Sequence, residues 1–450
     1  MPQTALSLQD LAEKMVERAV ALGATGADAL AVESDAFSVQ VRLGEVETTT
    51  GARDKGISLR VFHGTRSAAC SSSDFSPEAI ERLVVDTCEL ARLTEEDPDA
   101  GLPPDPATPP GVALDLYDDG ITLSIDERVD LARRAEAVAM AADPRISNSE
   151  GASFDSSSSE RAYVRSTGFS GSYRTTSYGL STVPVASHDG GMQRDWWFTG
   201  ARHFADLLSP EEVGAEAARR VLRRLGAKKG RTCKVPVVFD PLAAASLIGH
   251  LAGAVSGDSV YKGASFLGEK LGRKIAASGV TIIDDGLRPR GLGSKPFDGE
   301  GMPVGRHTVV EAGVLNTFLL DTYTAKKLGK SSTGHASRGL GGSPSPSATN
   351  FYLQAGSATP EEIIGSVQNG LYVTELIGFG VNGVTGDYSR GASGIWIENG
   401  ELTWPVEEVT ISSNLLDMFA GIEMIGNDLD FSRRVVSPTV KIDRMTVGGD

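Results

Sequence analysis

The fold is decided most clearly by residues 380–402, GVNGVTGDYSRGASGIWIENGEL. Five of the first fifteen residues are glycines, which permit positive φ angles and close approach of two backbones. A strand pattern follows at Gly394–Trp396, and Asn399-Gly400 is a strong short signal for a β-hairpin. The stretch therefore predicts paired strands in a β-rich region, preceded by a polar, glycine-rich loop.

Polar side chains lie between these glycines, at Asn382, Asp387, Tyr388, Ser389 and Arg390. They could converge on a partner chain or a peptide, because functional loops on rigid scaffolds share these features. They could equally belong to a tight crossing between strands, in which the polar groups satisfy one another. The spacing alone favours neither interpretation.

The patterns along the rest of the chain predict an α+β protein. Its N-terminal part should combine an antiparallel sheet with helices, and its C-terminal part should be β-rich with a few helices. The predicted divisions are an α+β unit at residues 1–93, a proline-rich linker at 94–120, a central helix and antiparallel sheet region at 121–228, and a β-rich domain at 229–450.

Capping and turn residues predict the bounds of several helices and strands. Ser7 and Gly23 predict the start and end of the first helix, and the Ser124–Glu127 spacing predicts a capping box. A hairpin is expected around Glu311-Ala312-Gly313, with Val314–Asp321 as its second strand. Residues 412–426, SSNLLDMFAGIEMIG, predict a late helix.

Composition excludes several classes of function. The chain has 450 residues and a formal net charge of −16, which disfavours direct binding to nucleic acid or to an anionic membrane surface. Three widely spaced cysteines argue against a disulfide framework and fit a reducing compartment. No signal peptide or apolar membrane span is apparent, so we expect a cytoplasmic location.

The six histidines show no local metal-binding motif. None precedes a glutamate and no two lie within one helical turn, as the HExxH signature of zinc peptidases requires. His250 stands among aliphatic residues, a pattern more typical of a core or interface histidine than of a metal ligand. His335, in STGHASRGLGG, could contact a ligand from a loop, although a solvated loop histidine is the more common case.

Other catalytic motifs are equally scarce. No GxSxG nucleophile elbow and no phosphate-binding GxxxxGK[ST] loop occurs. A serine nucleophile, for example Ser393, stays open because catalytic triads are defined by geometry rather than by sequence spacing.

Five segments together resemble the TldD/PmbA family, also called the modulator of DNA gyrase family, and within it the PmbA/TldE branch. They are VVFDPLAAASLIGHL (237–251), VYKGASFLGEKLG (260–272), DDGLRPRGLGSKPFDGEG (284–301), STGHASR (332–338) and GFGVNGVTGDYSRGASG (378–394). The resemblance runs from about Ala27 to Thr446. It implies a peptidase architecture in which TldD-type members bind zinc through HExxxH and pair with TldE-type members to cleave peptides and unfolded segments.

The resemblance also implies where this chain departs from the catalytic branch. With Lys262–Ser265 as the anchor, the HExxxH positions fall on Ile248 for the first histidine, Gly249 for the glutamate and Gly253 for the last histidine. These residues offer no side-chain metal donor and no carboxylate base. We therefore expect no catalytic residue, no metal ligand and no cofactor in this chain.

The leading hypothesis is a non-catalytic PmbA/TldE-like subunit of a cytosolic metallopeptidase. A TldD-type partner would supply zinc, peptides or unfolded proteins would be the substrate, and the lone chain could form a homodimer. His250, His335 and the five polar residues of the glycine-rich stretch are the candidate peptide-binding or interface residues. The alternatives are an independent hydrolase with an unrecognised site, and a scaffold protein that modulates gyrase or a toxin–antitoxin system.

Overall fold

The computed structural model describes residues 7–103 and 111–449. The molecule is an α+β protein, as the sequence predicts, with 23% helix and 41% strand. Part of the proline-rich linker, residues 104–110, lies outside the described residues. Among the helices that the structure describes, none is long and apolar enough to cross a membrane.

The N-terminal half contains one seven-stranded antiparallel sheet of order β3-β2-β1-β4-β5-β6, with β7 paired to β5. Its strands are β1 (Gly26–Arg42), β2 (Glu45–His63), β3 (Arg66–Ser72), β4 (Ile146–Arg165), β5 (Phe169–His188), β6 (Gly191–Arg194) and β7 (Trp197–Ala201). Strands β1 and β4 lie on opposite sides of the proline-rich segment, and their pairing makes the sheet continuous.

Helices cover this sheet: α1 (Leu8–Ala21), α2 (Pro77–Leu93), α3 (Ile125–Ala141) and α4 (Pro210–Leu222). Each begins at a serine whose side chain accepts a backbone hydrogen bond. The predicted capping box of Ser124 and Glu127 is present at the start of α3. Each of these helix starts is therefore set by a local capping interaction, which is visible in the sequence.

The C-terminal half contains strands β8 to β21 and helices α5 to α9. The strands are β8 (Lys228–Lys229), β9 (Cys233–Phe239), β10 (Ile282–Asp285), β11 (Arg306–Glu311), β12 (Val314–Leu315), β13 (Ala336–Ser337), β14 (Ser345–Pro346), β15 (Phe351–Leu353), β16 (Asn369–Ile377), β17 (Asp387–Glu398), β18 (Glu401–Asn414), β19 (Ile422–Ile425), β20 (Val435–Val436) and β21 (Val440–Gly448). The helices are α5 (Pro241–Ala254), α6 (Gly257–Tyr261), α7 (Thr322–Lys327), α8 (Pro360–Gly365) and α9 (Leu415–Ala420).

Two larger sheets organise this half. One has the order β12-β11-β10-β15-β20 and the other the order β19-β21-β9-β16-β17-β18-β8. In the second sheet β21 also pairs with β18, which closes β21, β9, β16, β17 and β18 into a ring. A large apolar core that includes side chains from both sheets and from α5 holds the half together.

Two expectations about element lengths were wrong. The predicted late helix at residues 412–426 is helical only over α9, after which the chain forms β19 against β21. The hairpin at Glu311-Ala312-Gly313 is confirmed, but its second strand ends at Leu315 rather than Asp321. In both cases tertiary pairing, which a local pattern does not contain, set the element boundary.

A buried ionic network joins the two halves. Asp28 on β1 is fully buried and accepts hydrogen bonds from Arg60 on β2, from Arg338 after β13 and from the hydroxyl of Tyr163 on β4. Burial opposes ionisation of Asp28, but the two arginines outweigh it and lower its pKa. Arg60 also lies 3.6 Å from Glu300, another buried carboxylate. The network therefore connects three strands of the first sheet to loops of the C-terminal half.

Candidate functional site

Helix α5 is held at its N-terminus and along one face. Asp240 caps its N-terminus by accepting a hydrogen bond from Ala243 N at 2.9 Å, and the same carboxylate lies 3.2 Å from Arg220 of α4. Leu247 and Ile248 are buried in the C-terminal core. The helix is thereby fixed against the core, and its opposite face, with Gly249 and Gly253, is left open.

That face lines a cavity of about 460 Å³, which we call the α5 cavity. The lining residues are Ser246, Gly249, His250, Gly253 and Ala254 of α5; Ser259, Ala264 and Phe266; Gly378, Phe379, Val381 and Gly383 of the glycine-rich loop; and Arg390 and Leu415. The structure thus brings together the two segments that the sequence singled out, the histidine-bearing helix and the glycine-rich stretch.

The polar groups of the α5 cavity are only partly satisfied. Arg390 donates from Nη1 to Ser246 Oγ at 2.8 Å, across the gap between β17 and α5. Within the described part of the chain, His250 Nε2 and Arg390 Nε have no hydrogen-bond partner. Burial and then the charge of Arg390 lower the pKa of His250, which favours the neutral imidazole near pH 7. Both atoms are buried, so each leaves an unsatisfied polar group in the wall of the cavity.

Tyr388 lies behind this cavity rather than on its surface. Its side chain is 1% exposed, and its ring meets the His250 ring edge-on at 6.1 Å. Burial raises the pKa of Tyr388 to about 12, so the phenol stays protonated at physiological pH. The contact holds the His250 ring in place, and Tyr388 therefore acts as a positioning residue for the cavity wall.

The remaining polar residues of the glycine-rich stretch build its turn. Asn382 Oδ1 accepts a hydrogen bond from Val384 N at 2.9 Å, and Asp387 Oδ2 accepts one from Thr385 Oγ1 at 2.7 Å. Hydrogen bonds from Thr385 and Asn414 lower the pKa of Asp387. Ser389 is exposed, and its backbone N–H donates to Gly380 O at 2.7 Å. In this part of the stretch the polar groups hydrogen-bond one another, as expected for a tight crossing between strands.

His335 is not the solvated loop histidine that the sequence favoured. It is 1% exposed and, within the described chain, does not line the α5 cavity. Nε2 lies 2.8 Å from Asp284 Oδ2 and Nδ1 lies 2.8 Å from Thr333 Oγ1. Its ring also lies 4.9 Å from the His307 ring. Packing of β10 under the loop buries His335, and its hydrogen bonds are satisfied internally.

Sequence reasoning missed a group of exposed apolar residues in and beside the lining of the α5 cavity. Phe379 is 100% exposed, and Ile377 and Val384 are more than half exposed. A phenylalanine between two glycines in a polar loop was the available signal, because a large apolar side chain with no core face to occupy marks an interaction site. We call these three residues the apolar rim.

The open face of α5 leads to a stability prediction. A methyl group added at Gly249 or Gly253 would meet nothing within 4 Å. Gly249→Ala should therefore raise the free energy of unfolding by about 0.5–1 kcal/mol, because alanine loses less backbone entropy than glycine in a helix. Chemical denaturation measures this directly.

Gly257→Ala is the matched control in the neighbouring helix α6. There the added methyl would lie 2.5 Å from Thr324 Oγ1 and 2.7 Å from Leu320 Cδ2, so this variant should lose stability. A loss of stability in Gly249→Ala as large as in Gly257→Ala would show that the face of α5 is packed in solution.

Comparison with known families defines the class of protein. The chain matches models of the PmbA/TldA metallopeptidase domains: domain 1 over residues 27–91, the central domain over 118–225 and the C-terminal domain over 232–449. The architecture is therefore that of a PmbA/TldA-type metallopeptidase.

Relatives and solved structures agree over nearly the full length. The chain is 39% identical to the metalloprotease PmbA of Escherichia coli O157:H7, covering 94% of this chain and 92% of the relative. It is 36% identical to the PmbA homologue of Haemophilus influenzae, covering 97% and 94%. The chain belongs to the PmbA/TldD family.

Crystal structures show the same fold. A Bacteroides thetaiotaomicron protein named for modulation of DNA gyrase superposes with a TM-score of 0.90 at 27% identity, covering 98% of both chains. TldE from Thermococcus kodakarensis superposes with a TM-score of 0.85 at 21% identity, covering 98% of this chain and 100% of that one.

A catalytic transition metal of the kind the family name implies does not fit the α5 cavity. Its lining offers one imidazole, His250, and two hydroxyls, Ser246 and Ser259, together with the cationic Arg390. Zinc sites need three or four imidazole, thiolate or carboxylate ligands. Across residues 7–103 and 111–449, no group of three or more histidine, cysteine or acidic side chains is placed to hold a metal ion.

Proposed function

We propose that this chain is a PmbA/TldE-type subunit without a catalytic centre of its own, which works with a TldD-type metallopeptidase in the cleavage of peptides or unfolded segments. The observation that carries the proposal is the α5 cavity. Gly249 and Gly253 are among the α5 residues that line it, and a methyl group at either position would meet nothing within 4 Å. The frame of a peptidase site is retained while its donors and its carboxylate base are replaced.

The apolar rim supports the partner role. Phe379 lines the cavity, and the exposed Ile377 and Val384 adjoin its lining residues Gly378 and Gly383 in the chain. Burial of such side chains is the main source of affinity at protein interfaces. The rim would seat the TldD-type subunit, and His250 and Arg390 would form part of the wall of the enclosed space. In this proposal zinc belongs to the partner, and this chain restricts access to it.

The alternative of an independent hydrolase has less support. Ser393 and His335 are 4% and 1% exposed, and the ring nitrogens of His335 contact Thr333 and Asp284. A nucleophile and base enclosed in this way offer no room for a substrate. The scaffold alternative rests on the name of the Bacteroides structure, and copurification with gyrase in the absence of a TldD-type protein would favour it.

The test compares the chain alone with the chain coexpressed with a TldD-type protein. Alone, it should contain less than stoichiometric zinc by mass spectrometry and cleave no unfolded casein or peptide. With the partner, zinc and cleavage should both appear, and a chelator should abolish the cleavage.

The control partner carries Glu→Gln in its HExxxH motif, which should keep the complex intact but remove activity. Chelator-sensitive cleavage by this chain alone would contradict the proposal. So would equal activity of the wild-type and control complexes.

A further inference from the structure

A second cavity, about 570 Å³ in volume, lies between β7 of the first sheet and the C-terminal half. It shares no lining residue with the α5 cavity. Its walls are largely apolar, with Trp197, Phe198, Leu242, Phe431 and Val436 among them. We call it the interdomain cavity. Its volume falls in the range typical of small-ligand sites, about 300–1,000 Å³.

Two arginines of this cavity are held by aromatic rings. The Arg433 guanidinium lies over the Phe198 ring, 4.1 Å from its centroid, and 5.1 Å from that of Trp196. The Arg288 guanidinium lies over the Phe431 ring at 3.4 Å. A guanidinium held over a ring in this way can still donate from its N–H groups.

Neither guanidinium has an ion-pair or hydrogen-bond partner within the described chain. Neighbouring arginines of the same cavity differ: Arg290 pairs with Asp115 and Asp206, and Arg202 donates to backbone carbonyls such as Leu292 O at 2.7 Å. Burial alone lowers the pKa of Arg433, with no nearby carboxylate to offset it. The cavity thus holds two cations, each held over an aromatic ring, whose charge no described carboxylate compensates.

The acidic side chains of the cavity do not neutralise the charges of Arg288 and Arg433. Asp206 is committed to Arg290, and Asp428 accepts hydrogen bonds from Thr439 N and Oγ1. Asp430 is exposed and forms no ion pair with the described residues. A ligand anion would therefore meet Arg288 and Arg433 without displacing an internal partner.

We infer that the interdomain cavity binds the carboxylate of a ligand whose adjoining group is apolar, with Arg288 and Arg433 as the anchoring residues. A guanidinium presents two parallel N–H groups that match a carboxylate, and the apolar walls accommodate the side chain beside it. The C-terminal residue of a peptide and an acidic side chain are the two sources of this chemistry. The inference does not rest on a partner subunit, since every anchoring residue belongs to this chain.

Calorimetric titration of the purified chain with three peptides tests the inference. The first is N-acetyl-Leu-Phe with a free C-terminus, the second is its C-terminal amide, and the third is N-acetyl-Asp-Phe-amide, which carries only a side-chain carboxylate. N-acetyl-Leu-Phe with its free carboxylate should bind at least about tenfold more tightly than its C-terminal amide. The amide cannot form the charge-assisted hydrogen bonds that the carboxylate forms. Binding of the third peptide alone would support the carboxylate site and assign its source to an acidic side chain.

Variants identify the anchors. Arg433→Gln and Arg288→Gln should each weaken binding of the preferred peptide by about tenfold or more. Arg434→Gln is the matched control, because Arg434 is the adjacent arginine, does not line the cavity and donates to Ala348 O. It should bind as the wild type does. Arg433→Lys keeps the charge and should give intermediate affinity.

Three outcomes would overturn the inference. They are equal affinity for acid and amide, absence of binding for all three peptides at millimolar concentration, and equal weakening by Arg434→Gln and Arg433→Gln. Thermal unfolding of each variant shows whether it is folded. If Arg433→Gln does not fold, the comparison of acid with amide on the wild-type chain and the Arg288→Gln variant still decide the question.

Discussion

Replacing Asp28 with alanine should lower the free energy of unfolding by about 3–5 kcal/mol, because removing one partner of a buried pair leaves an uncompensated buried charge. Asp28 is fully buried, 2.6 Å from Arg60, and it also pairs with Arg338, which is buried as well. Its alanine variant leaves both guanidiniums without their principal counter-charge. Urea unfolding followed by circular dichroism measures the loss.

Asp54→Ala provides the control on the same sheet. Asp54 is exposed on β2, so its replacement should change stability by less than about 0.5 kcal/mol. Similar losses in the two variants would mean that the Asp28 network contributes nothing beyond an ordinary surface charge. The lowered pKa of Asp28 adds a signature: its contribution is present above pH 3.8, the usual value, and is lost as the pH falls through the folded-state pKa.

Phe379→Asp should reduce assembly with a TldD-type partner by about thirtyfold or more while leaving the isolated chain as stable as the wild type. Phe379 is fully exposed, so its replacement removes no internal contact. In the proposed complex it becomes buried, and loss of a central aromatic anchor costs about 2 kcal/mol or more of binding free energy. Affinity of the two purified subunits and partner-dependent peptide cleavage should fall together.

Leu93→Asp is the matched control for this change. Leu93 is 81% exposed at the end of α2, on the N-terminal sheet rather than at the α5 cavity. Leu93→Asp introduces the same charge at another highly exposed apolar residue and should leave assembly unchanged. If Phe379→Asp assembles as tightly as Leu93→Asp, the apolar rim is not the partner interface, although the lack of side-chain metal donors at positions 248, 249 and 253 would stand.

Much of the fold was predictable because its signals are local. Ser124 and Glu127 cap α3 through contacts three residues apart, and Asn399-Gly400 turns β17 into β18 with positive φ angles of 53° and 82°. The prediction of a late helix was wrong because a non-local contact set its end. Residues after α9 have helical spacing, but pairing with β21 draws them into a strand.

The candidate site was predictable only in part. His250 and Arg390 were both singled out, but their meeting across one cavity depends on how β17 and α5 pack, since 140 residues separate them. The glycines of the loop were rightly assigned to close backbone approach: a methyl group at Gly380 would lie 1.8 Å from Ser389 O. The burial of His335 against Asp284 had no local signal at all.

The sequence by itself determined the helix starts, the hairpin turns, the acidic charge and the lack of metal donors at positions 248, 249 and 253, because each of these is a property of neighbouring residues. Only the tertiary structure decided that Asp28 meets Arg338 across 310 residues, that His335 is enclosed, and that Arg288 and Arg433 share a cavity. Such contacts arise when packing removes water from groups far apart in the chain. Their energy therefore depends on the folded arrangement rather than on any one segment.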